Sequence, residues 1–274
     1  MTDTIKKAPE YISVIDVSAW EKDARYDKMH LDFIPDGVIA KASEYTWKDP
    51  TAKFHMDGAR LIGARRGLFH FYRPHDLERQ IEVFFTVASE AGAWDGRNWL
   101  LEIPAILDVE YTPNPKDKKA PRGNALALAY EVKYMLDAFE NKIGMKPMIY
   151  TGKYYWANLF NALGQPPKWC MDYPLWVSAY PDNPELHSKP YLQVGGWGAS
   201  WAMWQYSEAG IMKNAFPYDG VDLNIANPVW WNTLPKPGAA QIPVPQEDEP
   251  TPEQPKSKID KIVVHFDGKE KELI

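Results

Sequence analysis

Short apolar segments alternate with amphipathic segments through the first 163 residues of the chain. The apolar segments predict five strands, at residues 11–17, 37–42, 67–72, 106–111 and 146–151. Apolar positions at helical spacing predict helices between them, at residues 76–92, 124–143 and 154–163, with Asp76 as an N-cap and Gly144 ending the third. A further helix is predicted after Asp49-Pro50, with Phe54, Ala59, Leu61 and Ile62 as its apolar positions.

The pattern changes in the next part of the chain. Residues 174–180, 202–207 and 220–225 read as three more strands, joined by loops rather than by obvious helices. Eight strands, the first five alternating with helices, predict an α/β fold with a largely parallel sheet closed into a TIM-like barrel.

The strand at residues 106–111 carries two carboxylates at alternate positions, Asp108 and Glu110. Side chains two residues apart on a strand point the same way, so we expect the two groups to lie together and to raise each other's pKa. A pair of this kind is typical of sites that need one acid protonated and one ionised. Taken alone, it is more often a salt-bridged pair at a strand end. Acidic side chains also fall at or near other predicted strand ends, at Asp16, Glu44 and Asp222.

Composition narrows the possible partners. The chain has 274 residues with a formal net charge of −6, so no basic field favours nucleic acid or anionic lipid. One cysteine excludes an internal disulfide framework, and the six histidines form no close ligand pair, so we predict no metal and no cofactor. Twelve tryptophans and fifteen tyrosines suit a core, or platforms for the faces of sugars.

Residues 1–10 are polar and charged and contain no apolar segment. We therefore expect a chain made in the cytoplasm without a signal peptide, and we expect no membrane insertion because no apolar run approaches spanning length.

Seven short motifs together resemble glycoside hydrolase family 25, the N-acetylmuramidase lysozymes. They occur in the family's order over residues 11–232 and read IDVS (15–18), IAKASE (39–44), GLFHF (67–71), LDVE (107–110), PLWV (174–177), WQYS (204–207) and VDLN (221–224). The resemblance implies an irregular (β/α)5(β)3 barrel, which agrees with the strand count.

The resemblance also implies site residues. Glu110 would be the general acid and Asp108 its partner, with Asp16 and Asp222 as further carboxylates, and cleavage would retain the anomeric configuration. We expect crowding by the three aspartates to raise the pKa of Glu110. The chain departs from the family pattern at Phe69, where tyrosine is common, at Ser43, where threonine is common, and at Tyr45, where glycine is usual.

Other residues near strand ends are candidates for substrate binding. Each has a structural alternative, since an aromatic on a barrel strand can be core and Lys41 can simply pair with an acid such as Glu44 or Asp16. His70 is expected to be a hydrogen-bonded structural histidine. The candidates are Glu44, Lys41, Tyr72, Tyr150, Trp176, Gln205 and Tyr206.

The composition shifts after Leu234. We predict a catalytic domain at residues 1–234, an extended Pro/Glu-rich linker at 235–258, and a short β-hairpin at 259–274 with Asp267-Gly268 at its turn. The last segment is either a frayed tail or a strand pair that docks or self-associates.

Together these observations predict a peptidoglycan hydrolase that cleaves the β-1,4 bond between N-acetylmuramic acid and N-acetylglucosamine, with bacterial peptidoglycan glycan strands as its partner. We expect a phage endolysin that acts on the cell wall after release. The alternatives are a chitinase-like glycosidase and a non-catalytic module that binds wall glycan.

Overall fold

The computed structural model describes residues 12–110, 125–152, 155–156, 165–180, 194–217, 220–237, 262–266 and 269–273. The chain divides into two compact units, residues Met1–Pro243 and Val244–Ile274. Most of the predicted helix at 154–163, most of the predicted linker and the predicted turn at 267–268 lie outside the described residues.

The first unit is built on a closed barrel of eight strands. Hydrogen bonding runs around the barrel in the order β1-β9-β8-β7-β6-β5-β4-β2 and returns to β1. The short β3 extends β2 as an antiparallel partner. The strands are β1 (Ile12–Val17), β2 (Gly37–Glu44), β3 (Trp47–Lys48), β4 (Arg65–Phe71), β5 (Ile106–Asp108), β6 (Met148–Gly152), β7 (Leu175–Ser178), β8 (Met203–Gly210) and β9 (Val221–Ala226).

Strand direction follows the connections. The pairs from β1 and β2 round to β7 and β8 are parallel, whereas β9 is antiparallel to both of its neighbours, β8 and β1. Parallel neighbours need a long crossover, which helices supply early in the chain, while β9 returns directly from β8. The predicted α/β barrel is confirmed.

Helices follow the early strands: α1 (Ala52–Leu61), α2 (Leu77–Glu90), α3 (Ala125–Ile143) and, after β9, the one-turn α4 (Pro228–Trp231). Gly144 ends α3 with φ +69°, as predicted. Two 3₁₀ helices, Ala19–Glu21 and Tyr26–Leu31, stand between β1 and β2.

The predicted apolar stripe of α1 was partly wrong. Phe54 and Leu61 are exposed, whereas His55 and Met56 are buried. The buried histidine is satisfied by Tyr26 Oη at 2.8 Å from Nδ1 and by the carbonyl of Ser18 at 2.9 Å from Nε2. A polar residue with two fixed partners can replace an apolar one in a core, which periodicity does not reveal.

Alternation along the strands sorts side chains into two faces. One face packs under the helices, and the other points into the barrel. One end of the interior is filled by an apolar layer whose members include Val14, Ile39, Ile103, Ile106, Met148, Trp176, Met203, Ala226 and Trp231. The guanidinium carbon of Arg65 lies 4.6 Å from the centre of the Trp231 ring, and Arg65 Nη1 donates to the carbonyl oxygen of Trp231 at 2.8 Å.

The second unit contains strands β10 (Ile262–Phe266) and β11 (Lys269–Leu273), which pair antiparallel with Phe266 opposite Lys269. No helix among the described residues is long and apolar enough to cross a membrane.

Candidate active site

A polar layer lies above the apolar layer, at the interior end where the parallel strands finish. It is formed by residues that lie two positions beyond the residues of the apolar layer on the same strands, so both sets share the interior face. Its members are Asp16, Lys41, Asp108, Tyr150, Ser178, Gln205 and, on β9, Asn224 and Asp222.

Asp222 reaches this layer by a route that sequence reasoning missed. It was expected near the carboxyl end of its strand, but it is the second residue of β9. Because β9 runs antiparallel to its neighbours, its first residues lie at the end where the other strands finish. Asp16 and Asp222 are direct partners across β1 and β9.

The Asp16–Asp222 pair is bridged by side-chain amides. Gln205 Nε2 donates to one carboxylate oxygen of each aspartate at 3.0 Å, and Asn224 Nδ2 donates to Asp16 Oδ2 at 2.7 Å. Burial raises the pKa of Asp16, although these hydrogen bonds oppose it. Burial, followed by the charge of Asp16, raises the pKa of Asp222. The pair therefore holds a proton to a higher pH than isolated carboxyls would.

The orientation of Gln205 is set by two phenols. The hydroxyls of Tyr150 and Tyr180 donate to Gln205 Oε1 at 2.7 and 2.8 Å, which leaves its amide nitrogen facing the aspartates. Burial raises the pKa of both tyrosines, so they remain donors. Trp176 Nε1 similarly donates to Asn224 Oδ1 at 2.7 Å. Trp176 is therefore a buried support for the polar layer rather than an exposed platform.

Asp108 is the most isolated carboxyl of the layer. Its side chain is buried, and Oδ1 has no hydrogen-bond partner among the described residues. Burial first, and then the charge of Glu110, raise its pKa well above the usual value. A buried polar atom left without a partner destabilises the fold by about 1–3 kcal/mol. A free acceptor of this kind is suited to a ligand that brings a donor.

Glu110 lies just beyond the assigned end of β5 but is held in line with it. Val109 donates its N–H to the Tyr150 carbonyl at 2.8 Å, and its own carbonyl accepts from Thr151 Oγ1 at 2.8 Å. Burial raises the pKa of Glu110 to about 7, with Asp16 the next cause. The rise and the contribution of Asp16 were predicted, but burial, which was not predicted, is the larger cause.

A cation group forms one wall beside these acids. Lys41 Nζ contacts Glu44 Oε2, and Arg73 Nε donates to Glu44 Oε1 at 2.9 Å. Burial raises the pKa of Glu44, but its two cationic partners outweigh burial and lower it overall. Lys41 also lowers the pKa of Asp108 and of Glu110. Of the two partners expected for Lys41, the structure shows Glu44.

Two sequence candidates lie outside the polar layer. Tyr72 is 1% exposed in the core beneath the helices, and its hydroxyl donates to Glu131 on α3 at 2.5 Å. Tyr206 occupies the same outer face of the barrel and packs edge-on against Trp204. Each is one residue out of phase with the interior positions, Phe71 and Gln205, so strand alternation turns it away from the site.

His70 has the structural environment expected for it. It is buried between Ser43 Oγ at 2.8 Å from Nδ1 and Gln80 Oε1 at 2.9 Å from Nε2, and burial lowers its pKa to about 4. Gln80 Nε2 in turn donates to the carbonyl of Arg73 at 2.7 Å. This chain connects the helix layer to the wall that carries Arg73.

Sequence reasoning missed Asn224, Tyr180 and Arg73. Asn224 could have been found because it shares a strand face with Asp222, two residues away. Tyr180 lay at the end of the predicted strand 174–180, two positions after Ser178, so alternation could have indicated it as well. Arg73 follows β4 in a loop, where no periodicity indicates direction. No group of three or more His, Cys, Asp or Glu side chains suited to a metal occurs among the described residues.

Comparison with known proteins assigns this arrangement to a family. The model of "Glycosyl hydrolases family 25" matches residues 15–215. The uncharacterized protein YegX of Escherichia coli K12 is 28% identical over 227 residues, which cover 78% of this chain and 68% of YegX. The autolytic lysozyme of Clostridium acetobutylicum is 27% identical over 177 residues, covering 64% of this chain and 44% of that protein.

A solved structure extends the likeness to three dimensions. The muramidase from Trichobolus zukalii superposes with a TM-score of 0.60 at 25% identity, covering 79% of this chain and 93% of the muramidase. The family match spans most of the chain and includes Asp16, Asp108 and Glu110. The chain therefore belongs to glycosyl hydrolase family 25, and it is a glycoside hydrolase of the lysozyme type that acts on peptidoglycan.

Proposed function

We propose that this protein is an N-acetylmuramidase that cleaves the β-1,4 bond between N-acetylmuramic acid and N-acetylglucosamine with retention, using Glu110 as general acid and Asp108 as its partner. The observation that carries the proposal is the contrast between the two acids. Glu110 has a pKa of about 7, which suits proton transfer near neutrality, whereas Asp108 offers a buried oxygen without a partner.

The chemistry needs a proton on the leaving oxygen and stabilisation of positive charge at the anomeric carbon. Glu110 supplies the proton. The 2-acetamido group of the substrate attacks the anomeric carbon, and its N–H donates to Asp108 Oδ1. A donor aimed at that oxygen stabilises the ionised form of Asp108, so substrate binding itself would lower its raised pKa. Glu110 then takes a proton from water as the ring intermediate is hydrolysed.

Asp16 and Asp222 complete the site as a fixed acidic wall. Their oxygens are oriented by Gln205 and Asn224, and Gln205 is in turn oriented by Tyr150 and Tyr180. Side chains locked by hydrogen bonds hold a site's geometry during the reaction. Lys41 and Glu44 flank the same opening and would bind polar groups of the sugars.

Reducing-end analysis of digested peptidoglycan tests the proposal. A muramidase produces new muramic acid ends. New ends from chitin, with none from peptidoglycan, would instead support the chitinase-like alternative, and no new ends from either would support a non-catalytic binding module. The carboxylate cluster favours catalysis over binding alone, because buried acids with raised pKa are costly to keep without chemistry.

The proposed biological role is that of a phage endolysin, made in the cytoplasm and acting on the cell wall after release. Family membership and a C-terminal strand pair that follows a Pro-rich segment support this role. Expression in a bacterial host with and without a pore-forming partner tests it. Lysis only with the pore is expected, whereas lysis without it would contradict release through host membrane pores.

For residues 259–274 we propose docking or self-association, supported by a strand pair that is too small to be stable alone. Truncation after Pro237 keeps the carbonyls of Trp231 and Leu234 that accept from Arg65. The truncated protein should still hydrolyse solubilised glycan, while its mass by light scattering or its binding to whole walls changes. Loss of glycan hydrolysis would place the tail within the catalytic domain.

A further inference from the structure

Two tryptophans are exposed to solvent just after β1 and β2, Trp20 in the 3₁₀ helix Ala19–Glu21 and Trp47 at the start of β3. Trp20 is 82% exposed, the highest value among the exposed large hydrophobic side chains of the described residues, and Trp47 is 50% exposed. Tryptophan is highly buried on average, because its ring carries a large apolar surface. Neither the polar layer nor the packing of the core explains why these two rings are exposed.

The loop that carries Trp20 is fixed by hydrogen bonds. Ser18 and Glu21 form a capping box, in which Ser18 Oγ accepts from the N–H of Trp20 and Glu21 Oε2 accepts from the N–H of Ser18 at 2.7 Å. His55 Nε2 is hydrogen-bonded to the carbonyl oxygen of Ser18 at 2.9 Å. These hydrogen bonds order the loop, although the side chain of Trp20 at its centre is largely exposed.

The turn between β2 and Trp47 is also held by hydrogen bonds, and at some conformational cost. Tyr45 lies in the left-handed region with φ +49°, which disfavours residues other than glycine, and its hydroxyl donates to Asp76. The N–H of Tyr45 donates to the carbonyl of Phe71 at 3.1 Å. Lys41 Nζ lies 6.0 Å from the centre of the Trp47 ring, so the ring borders the polar layer.

One buried residue fastens the two loops together. Asp49 Oδ2 accepts from the N–H of Ala19 at 3.0 Å, while Oδ1 accepts from the N–H of Thr51 at 2.9 Å. Asp49 is only 3% exposed. The charge of Glu21 also contributes to the raised pKa of Asp222, which places the Trp20 loop close to the acidic cluster.

We propose that Trp20, Tyr45 and Trp47 form an aromatic rim that binds sugar rings of the glycan strand beyond the bond that is cleaved. The proposal rests on the proposed muramidase function and adds an extended binding surface to it. The apolar face of a hexose, made of ring C–H groups, packs on a flat aromatic ring, and a rigid loop lets the ring bind without being ordered first. A polymer therefore binds more tightly than a fragment that fills only the central site.

The test compares long glycan strands with the shortest soluble muropeptide oligomer that the wild-type protein cleaves. Trp20→Ala and Trp47→Ala should each raise KM for long strands roughly 5- to 30-fold, with kcat unchanged. KM for the short oligomer should change little. Trp20→Phe, which keeps a flat ring, should restore most of the affinity.

Two further variants separate the rim from general surface effects. Tyr45→Gly removes a ring where glycine suits the backbone, so its expected rise in KM occurs without loss of folding. Leu61→Ala is the matched control, since Leu61 is 69% exposed and lies at the end of α1, which leads to the start of β4 at the opposite end of the barrel. It should leave both substrates unaffected.

Unchanged KM on long strands in Trp20→Ala and Trp47→Ala, with wild-type activity present, would overturn the rim. An equal loss on long and short substrates would also overturn it, because the rings would then act on the central site. If the wild-type protein releases no muramic acid ends at all, the proposed function fails instead. The rim is then tested by calorimetry, which compares the binding of long strands to Glu110→Gln with their binding to Glu110→Gln that also carries Trp20→Ala.

Discussion

The two layers inside the barrel are built on the same strands and differ completely in chemistry. On β1, β5 and β6 the lower layer has Val14, Ile106 and Met148, and two residues further along each strand the upper layer has Asp16, Asp108 and Tyr150. Successive residues on one strand face are about 6.5 Å apart. The transition from a dry core to a buried acidic cluster therefore takes place within a single pleat.

The comparison shows how stability and chemistry are divided. The lower layer removes apolar side chains from water and closes the barrel. The upper layer holds carboxyls whose pKa values are raised by burial, so their charged forms are unfavourable there. We expect substitutions in the upper layer to change activity more than stability, and substitutions in the lower layer to do the reverse.

The largest expected effect on activity is at Glu110. Glu110→Gln keeps the shape of the side chain and removes its transferable proton, so turnover should fall by about 10²- to 10⁴-fold. Wall-lysis and reducing-end assays measure the fall, and circular dichroism checks the fold. Near-normal turnover in this variant would remove Glu110 from the mechanism. Asp108→Asn should be nearly as damaging.

The matched lower-layer variant is Ile106→Ala, two residues before Asp108 on the same strand. It leaves a cavity in a fully buried site, and should lower the free energy of unfolding by about 2–5 kcal/mol. Denaturant unfolding measures this loss. The protein that remains folded should keep its kcat, and a loss of kcat comparable to that of Glu110→Gln would show that the two layers are not separable.

The pH dependence of activity follows from the upper layer. Because Glu110 must be protonated and its pKa is about 7, kcat/KM should decline as pH rises above about 7, approaching tenfold per unit. Lys41 lowers that pKa, so Lys41→Met should move the decline to higher pH. A profile that is flat from pH 6 to 9, or a shift in the opposite direction, would contradict Glu110 as the acid.

A smaller effect is expected on stability from the Asp16–Asp222 pair. The pKa of Asp222 is about 9 in the folded protein against 3.8 for an unperturbed aspartate, so the folded state retains the proton when the unfolded chain has lost it. This contribution to stability is full below pH 3.8 and is lost as pH rises toward 9.

Asp222→Asn removes this loss of stability at high pH, because an amide does not ionise. Its N–H can donate to Asp16, and its oxygen can accept from Gln205. The variant should melt at a higher temperature than the wild type at pH 8, with little difference at pH 4. Thermal unfolding at the two pH values measures this. A lower melting temperature at pH 8 would mean that the ionised pair stabilises the fold.

Chelation should have no effect. No cluster of three or more side chains that could hold a metal ion occurs among the described residues, so activity in EDTA should equal activity in buffer. Loss of activity that a divalent ion restores would show that the acidic cluster binds a metal.

The sequence by itself determined the positions of the barrel strands, the barrel class and the acids of the candidate site. Apolar segments and period-two alternation depend on local burial, which is why Asp108 and Glu110 were placed on one face and why Gly144 was placed at the end of α3. The resemblance in seven motifs added the family. These features are local in the chain or repeat at known spacings.

Only the tertiary structure decided which side chains meet. The antiparallel course of β9 brought Asp222 opposite Asp16, and strand phase turned Tyr72 and Tyr206 toward the helices. The orientation of Gln205 depends on two tyrosines that are 55 and 25 residues away. Burial, which sets the pKa of Glu110, is a sum over neighbours distant in the chain. No local pattern carries that sum, because it exists only once the barrel has closed.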